Sequence, residues 1–241
     1  MAINMAKVFE FYFNPLPNKK IAQKEACFFE TFCFLPKTFF EKKQGNLFIV
    51  AQSSNISNQS QIVINHLANI IKKYFYQKPV FPSYCSFQLA LNQANNFLNQ
   101  EILPNNRLFL TNFHFASFAI GPKRNIKVSK IGNIKIILLR GKEAFDIGSN
   151  FTCERITDKI FPDVIEGNLQ KGDRILMATP EVFQSFQDQK IIEDLCLCQK
   201  SKLVKQFFKQ KKKIVREFSG ACLLAFVKKN HIVSLLSKFS K

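Results

Sequence analysis

Short apolar runs bounded by turn residues predict β-strands along the first part of the chain. These runs cover residues 7–13, 27–35 and 47–51. In the second run, alternation places four side chains on one face of the strand, namely Phe28, Glu30, Phe32 and Phe34. Asn14-Pro15 ends the first run, and the turn sequence at residues 44–46 precedes the third.

Two longer segments, residues 56–76 and 83–103, carry apolar side chains at three- and four-residue steps. This spacing predicts a pair of amphipathic helices. Apolar runs then resume and predict a β-rich region with strands at residues 108–120, 125–130, 134–140 and 144–148. Glycines at positions 132 and 141 are typical of the tight turns between such strands.

The last third of the chain begins with an irregular polar connection at residues 149–166, followed by a turn between Gly167 and Gly172. Residues 174–179 have the length of a buried strand, and Pro180 is typical of the first turn of a helix, with Thr179 as its N-cap. Further helices are expected at residues 188–198 and 201–212. A closing hairpin is expected from two strands, at residues 219–228 and 231–236.

The composition indicates one globular domain spanning residues 1–241, with 46% apolar residues. The net charge of +18 is open to two interpretations: a polyanionic partner, or A/T-rich coding that favours Lys, Asn, Ile and Phe over Gly and Trp. We favour the second. Seven cysteines without regular spacing predict reduced thiols and a cytoplasmic location. No apolar run reaches the roughly 18 residues of a membrane span.

Two blocks of sequence resemble the metal-dependent protein serine/threonine phosphatases, the PPM family or type 2C. In the first block the matching residues are Gly167, Leu169, Gly172, Asp173, Ala178 and Thr179. The second block, residues 128–142, resembles a pair of strands joined by a Gly-Asp turn, with Asn133 at the position of the aspartate. The resemblance implies an α/β (α+β) fold with an α-β-β-α arrangement, in which helices flank a sandwich of two mainly antiparallel sheets.

The resemblance also implies a centre of two Mg²⁺ or Mn²⁺ ions, held by aspartates at the ends of three strands. At those positions this chain has neutral residues and one displaced glutamate, namely Ala51, Gln52, Pro180, Glu181, Ser219 and Gly220. Divalent ions of this kind need anionic oxygen ligands. The sequence therefore predicts a catalytically inactive relative, a pseudophosphatase without catalytic residues, metal ligands or cofactor, which acts by protein–protein interaction.

Two alternatives remain open. The first is an active metal-dependent phosphatase whose ligands have moved to other carboxylates, with candidates Glu30, Asp163, Glu166 and Glu181. The second is a protein that binds nucleic acid or an anionic membrane surface through a basic stretch that contains Lys202, Lys205, Lys209, Lys212 and Lys213. We favour a simpler interpretation of that stretch, in which its apolar side packs on the protein and its lysines meet water.

The remaining residues with reactive side chains give no recognisable site. The three histidines, at positions 66, 114 and 231, are far apart in the sequence, and His114 lies in an apolar run that favours packing or hydrogen bonding over catalysis. Cys196 and Cys198 are too close together for the usual zinc-ligand spacing and are expected to be structural. The chain contains no nucleophile elbow, P-loop or dinucleotide-binding loop.

Overall fold

The computed structural model describes residues 6–13, 27–54, 58–77, 83–104, 109–151, 159–162, 164–211 and 219–228. Within these ranges, the strands form two five-stranded sheets in which every neighbouring pair is antiparallel. The apolar side chains between the two sheets form one of three hydrophobic clusters, and the other two lie between each sheet and its helices.

The first sheet joins the two ends of the described chain. Its strands, in spatial order, are β1 (Ala6–Phe13), β10 (Gly220–Val227), β9 (Arg174–Ala178), β6 (Lys135–Arg140) and β7 (Glu143–Asp146). β1 and β10 pair along their whole length, from Ala6 opposite Val227 to Phe13 opposite Gly220. This pairing closes the fold, because residues more than 200 positions apart become neighbours.

The second sheet is built from the middle of the chain. Its strands, in spatial order, are β2 (Phe28–Phe34), β3 (Asn46–Ser53), β4 (Phe113–Ile120), β5 (Asn125–Ile131) and β8 (Ile165–Asn168). Every residue of β3 is buried. Leu47, Ile49 and Ala51 face the helices, whereas Phe48 and Val50 face the other sheet, so both faces of this strand belong to the core.

Helices cover the outer face of each sheet. α2 (Asn58–Tyr76) and α3 (Ser83–Phe97) pack on the second sheet, and a short π-helical turn (Leu98–Ile102) continues α3. α4 (Pro180–Asp188), α5 (Ile191–Leu197) and α6 (Val204–Gln210) pack on the first sheet. The predicted α-β-β-α sandwich is confirmed.

A short helix that the sequence did not predict, α1 (Phe39–Gln44), connects β2 to β3. Its local signal is a capping box. Thr38 Oγ1 accepts a hydrogen bond from the Glu41 backbone N–H, and the Glu41 carboxylate accepts one from the Thr38 N–H. The expected strand at residues 108–120 is also shorter than predicted, because a 3₁₀ turn (Phe109–Asn112) precedes β4.

One other expectation was wrong. Gly167 does not begin a turn but lies in β8, where it pairs with Ile126 of β5, so the turn is confined to the residues that follow. The first strand of the predicted closing hairpin is present as β10, which lies between β1 and β9. The second strand, expected at residues 231–236, lies outside the described part of the chain.

Two arginines and one aspartate tie the turn before β9 to its surroundings. Asp173, only 2% exposed, accepts bidentate hydrogen bonds from Arg140, with 2.7 Å between Arg140 Nη2 and Asp173 Oδ2. The same carboxylate accepts a hydrogen bond from the Gln170 backbone N–H. The neighbouring Arg174 is buried and donates to the carbonyls of Leu195, Cys196 and Cys198 at the end of α5, and to Gly141 O.

We predict that Asp173→Asn lowers the free energy of unfolding by about 2–3 kcal/mol, since a buried carboxylate that accepts several charge-assisted hydrogen bonds is replaced by a neutral amide. Asp146→Asn is the matched control. Asp146 and its partner Lys135 are 26% and 37% exposed, and such pairs contribute less than about 1 kcal/mol. Urea unfolding monitored by circular dichroism measures both, and equal effects would contradict the special role of Asp173.

Candidate functional site

Three segments meet at one end of the sandwich, which we call the candidate edge: the end of β3 at Gln52, the turn from β9 into α4 at residues 179–181, and the start of β10 at Gly220. In the first sheet, Gly220 lies opposite Phe13 at the end of β1, and Ala178 lies opposite Cys222. In the second sheet, the end of β3 lies opposite the start of β2. The strand register therefore brings together the positions that the sequence resemblance assigned to the metal centre.

Hydrogen bonds between β1 and β2 align the two sheets at this edge. The Tyr12 hydroxyl donates to Glu30 Oε1 at 2.7 Å and lies 2.7 Å from Thr31 Oγ1. Thr31 Oγ1 in turn donates to Glu10 Oε2. Burial, together with the hydrogen bond to Glu30 and its negative charge, raises the pKa of Tyr12 to about 12, so the phenol stays protonated at neutral pH.

Gln52 occupies the position where the family has its first aspartate. Its side chain faces the space between the sheets, next to His114 in the paired strand, and is only 6% exposed. Its Oε1 atom has no hydrogen-bond partner in the described part of the chain. The neighbouring Ala51, fully buried, faces the helices, and Ser53 Oγ donates to Ser60 Oγ. The end of β3 therefore supplies a neutral amide and no carboxylate.

The turn into α4 differs in one respect from its prediction. Thr179 is the N-cap residue, but its side chain makes no capping hydrogen bond to the helix. Instead, Thr179 Oγ1 accepts a hydrogen bond from the Ala221 backbone N–H, which fastens the turn to β10. Pro180 starts the helix as predicted, and Glu181 lies in its first turn. The helix packs through Val182 and Phe186, which are buried, and Phe183 is partly buried.

Gly220 packs tightly against this turn. A Cβ atom at this position would lie 2.2 Å from Thr179 Oγ1 and 2.8 Å from Val182 Cγ2. Its φ of +143° is also a backbone conformation that favours glycine. The start of β10 therefore has no room for a larger side chain in this packing. The preceding Ser219 is partly exposed.

Several solved structures align with this architecture over most of the chain. The serine/threonine phosphatase PstP from Mycobacterium tuberculosis aligns with a TM-score of 0.64 at 11% identity, over 93% of this chain and 99% of that one. The PstP catalytic domain in complex with two manganese ions aligns with a TM-score of 0.64 at 13% identity, over 93% of this chain and 99% of that one. The PPM phosphatase MsPP from Mycobacterium smegmatis, solved in complex with cacodylate, aligns with a TM-score of 0.59 at 12% identity, over 95% of this chain and 100% of that one.

The chain has the fold of the PPM phosphatases. No protein-family model matches the sequence, and no curated protein sequence matches it either. At these identities the structural likeness shows the fold and not the activity. The chemistry of the candidate edge therefore has to be judged from its own residues.

The residues at the candidate edge do not fit the pair of divalent cations that the PPM fold implies. Such a pair needs several anionic oxygens to offset its charge. Gln52 offers one neutral oxygen, Pro180 offers none, and Gly220 has no side chain. Within the described ranges, no group of three or more His, Cys, Asp and Glu side chains is placed to hold a metal ion.

Of the four carboxylates considered as relocated ligands, the three that the structure describes are not gathered at one place. Glu30 lies at the candidate edge but accepts hydrogen bonds from Tyr12 and from the Thr31 N–H. Glu166 pairs with Lys127, and the strand register aligns Lys127 through β4 with Leu47 near the start of β3. Leu47 and Gln52 are on the order of 17 Å apart along β3, so Glu166 is far from the candidate edge. Glu181 lies at the start of α4, and Asp163 is outside the described residues.

The basic stretch is a packed surface helix over the part that the structure describes. α6 buries Val204 and Phe208 against the first sheet, and Phe208 contacts the rings of Phe11, Phe13 and Phe186. Lys205 and Lys209 of α6 are exposed, and so is Lys202 in the turn before the helix. Lys212 and Lys213 lie outside the described residues. This arrangement agrees with the interpretation we favoured, in which the apolar side packs and the lysines meet water.

His114 and the described cysteines have structural surroundings. The Asn133 backbone N–H donates to His114 Nδ1 at 3.3 Å, which requires that nitrogen to be unprotonated. Burial lowers the pKa of His114 and favours the same neutral form. Burial raises the pKa of the Cys196 and Cys198 thiols, and both are free. His66 is exposed and contacts the Phe97 ring, whereas position 231 is outside the described residues.

We predict that Gly220→Ala costs about 3 kcal/mol or more of folding stability, because the new methyl group collides with Thr179 and Val182 as well as straining the backbone. Gly141→Ala is the control. Gly141 also has a positive φ, +60°, but a Cβ there would meet nothing within 4 Å, so only the backbone cost of about 1–2 kcal/mol is expected. Denaturant unfolding of the two variants gives the comparison, and similar losses would show that the candidate edge is not tightly packed.

We also predict that His114 makes stability depend on pH on the acidic side of neutrality. Since its folded pKa lies below the ordinary value of about 6.5, its contribution is complete above that pH and falls as the pH drops from there towards the folded pKa. His114→Gln removes the titrating group and should flatten this dependence between about pH 6.5 and 5. Unchanged pH dependence of urea unfolding in the variant would disprove the assignment.

Proposed function

We propose that this protein is a pseudophosphatase: it has the PPM fold, does not hydrolyse phosphoesters, and acts by binding another protein. The observation that carries the proposal is the candidate edge. Gln52 and Pro180 stand at two of the positions expected of aspartates, and Ser219 or Gly220 stands at the third. A bridging water between two cations is the nucleophile that the PPM reaction requires, and these residues supply no anionic ligand for either cation.

We also propose that the protein is located in the cytoplasm. A reducing compartment suits a chain of seven cysteines, and the five whose side chains the structure describes are free. In the described part of the chain, no helix is long and apolar enough to cross a membrane.

An active phosphatase with relocated ligands remains the second candidate, because Glu30 and Glu181 still place carboxylates near the candidate edge. Glu30 is held by Tyr12, and Glu181 is in a helical first turn, where its side chain points in a different direction from that of residue 180. Cation binding would require both to reorient.

We predict that the purified full-length chain shows no hydrolysis of p-nitrophenyl phosphate or of phosphopeptides above the blank with Mn²⁺ or Mg²⁺, in parallel with an active PPM enzyme as the positive control. Calorimetric titration with Mn²⁺ should show no heat of specific binding. Metal-dependent hydrolysis that disappears in Glu30→Gln or Glu181→Gln would establish the second candidate instead.

Restoring aspartates tests the structural reason for the expected inactivity. Gln52→Asp combined with Pro180→Asp should still bind no pair of cations, because the third position, Ser219 or Gly220, still supplies no carboxylate and Gly220 has no room for one. The protein-binding part is tested with the full chain as bait: a specific partner should remain bound in the presence of a chelator and of moderate salt. Retention of nucleic acid that is lost steeply with salt would point to the polyanion-binding alternative.

A further inference from the structure

The short helix α1 and the residues before it carry an unusual set of exposed apolar side chains. Phe39 in the first turn of α1 is 68% exposed, Phe40 is 47% exposed, and Leu35 just before the helix is 42% exposed. Large apolar residues that cluster in this way at a surface, and not singly, are typical of a binding site. The sandwich core gains nothing from their exposure.

Lysines lie on α1 and on the adjoining end of α2, where the Lys43 ammonium lies over the Phe39 ring and the Lys72 ammonium over the Phe34 ring. Together they form what we call the α1 surface: Leu35, Lys37, Phe39, Phe40, Lys42, Lys43, Lys72 and Lys73. The Tyr76 hydroxyl, at the end of α2, donates to Phe34 O and Gly45 O and so holds the last turn of α2 against α1. The acidic residue of α1, Glu41, is engaged in the capping box.

We propose that the α1 surface binds anionic lipid membranes. Exposed Phe and Leu side chains among lysines are the pattern of interfacial helices, which place apolar groups at the boundary of the acyl chains while cations meet acidic headgroups. Each lysine near such a surface strengthens binding about five-fold. Codon usage accounts for most of the net charge of +18, but the lysines of the α1 surface would in addition bind the acidic headgroups.

The ring geometry favours lipid over single-stranded nucleic acid. Base stacking requires open, flat ring faces. The Lys43 ammonium lies 4.9 Å from the centroid of the Phe39 ring and covers one face. Phe39 and Phe40 meet edge to face at an interplanar angle of 78°, so they do not form a stacking platform. Insertion of ring edges into the interface of a membrane needs no such platform.

The α1 surface is separate from the candidate edge. Phe34 pairs with Leu47 at one end of the second sheet, whereas Phe28 pairs with Ser53 at the other, on the order of 20 Å away. The membrane proposal therefore does not depend on the pseudophosphatase proposal. A membrane-bound molecule would still present the candidate edge to other proteins.

Vesicle co-sedimentation of the full-length chain tests the proposal, with vesicles of phosphatidylcholine alone or mixed with phosphatidylserine. We expect binding to the mixed vesicles only. The triple variant Lys37→Gln, Lys43→Gln, Lys72→Gln should weaken it about 100-fold, at five-fold per lysine. The matched control is Lys202→Gln, Lys205→Gln, Lys209→Gln, which removes the same charge from α6 and the turn before it and should have less than a few-fold effect. Equal losses in the two triples would overturn the proposal.

The absence of tryptophan from the sequence provides a second readout. Phe39→Trp places a unique fluorophore on the α1 surface, and its emission should shift to the blue on mixed vesicles and be quenched by brominated lipids. Leu197→Trp, at a position 64% exposed on α5, is the control and should show neither effect. This pair reports insertion directly, and circular dichroism verifies that each variant is folded.

Two results would overturn the proposal outright. One is no binding to the mixed vesicles. The other is tighter binding of a single-stranded oligonucleotide than of the vesicles, with loss of oligonucleotide binding in the α1 triple variant. A phosphatase assay in the same preparations keeps the two proposals distinct, since neither outcome changes the expected lack of hydrolysis.

Discussion

The buried carboxylate of Asp173 is the constraint on which the first sheet depends. It holds Arg140 at the end of β6 and the turn that leads into β9, while the adjacent Arg174 satisfies the carbonyls at the end of α5. A buried charge is tolerated only when its hydrogen bonds are made, so this set of contacts fixes where β9, β6 and α5 meet. The turn into α4 follows directly from the same strand.

The residues that produced the sequence resemblance thus have a structural role. Gly172 has a positive φ in the turn, Asp173 accepts the hydrogen bonds of Arg140, and Thr179 fastens the turn into α4 to β10. None of these contacts requires a metal ion. The positions at which the chain departs from the family pattern lie at the candidate edge, such as Gln52 at the end of β3 and Pro180 just after β9. A scaffold and a reactive centre are separable in this fold, because different side chains build them.

The α1 surface and the candidate edge are at opposite ends of the sandwich. At the candidate edge, Gly220 packs closely against Thr179 and Val182. At the other end, α1 leaves two phenylalanines exposed among lysines. Each end therefore has its own packing and its own surface chemistry, because different strands and helices build them.

The sequence by itself determined the order and type of most strands and helices, because hydrophobic periodicity and turn residues act over a few neighbouring positions. It also located Gln52, Pro180 and Gly220 through a resemblance of motifs. The tertiary structure decided what local patterns do not contain: that Gly167 pairs with Ile126, that β10 has no free edge, and that Thr179 bonds to Ala221, 42 positions away. These contacts join segments distant in the chain, so their hydrogen bonds and packing exist only once the two sheets have formed.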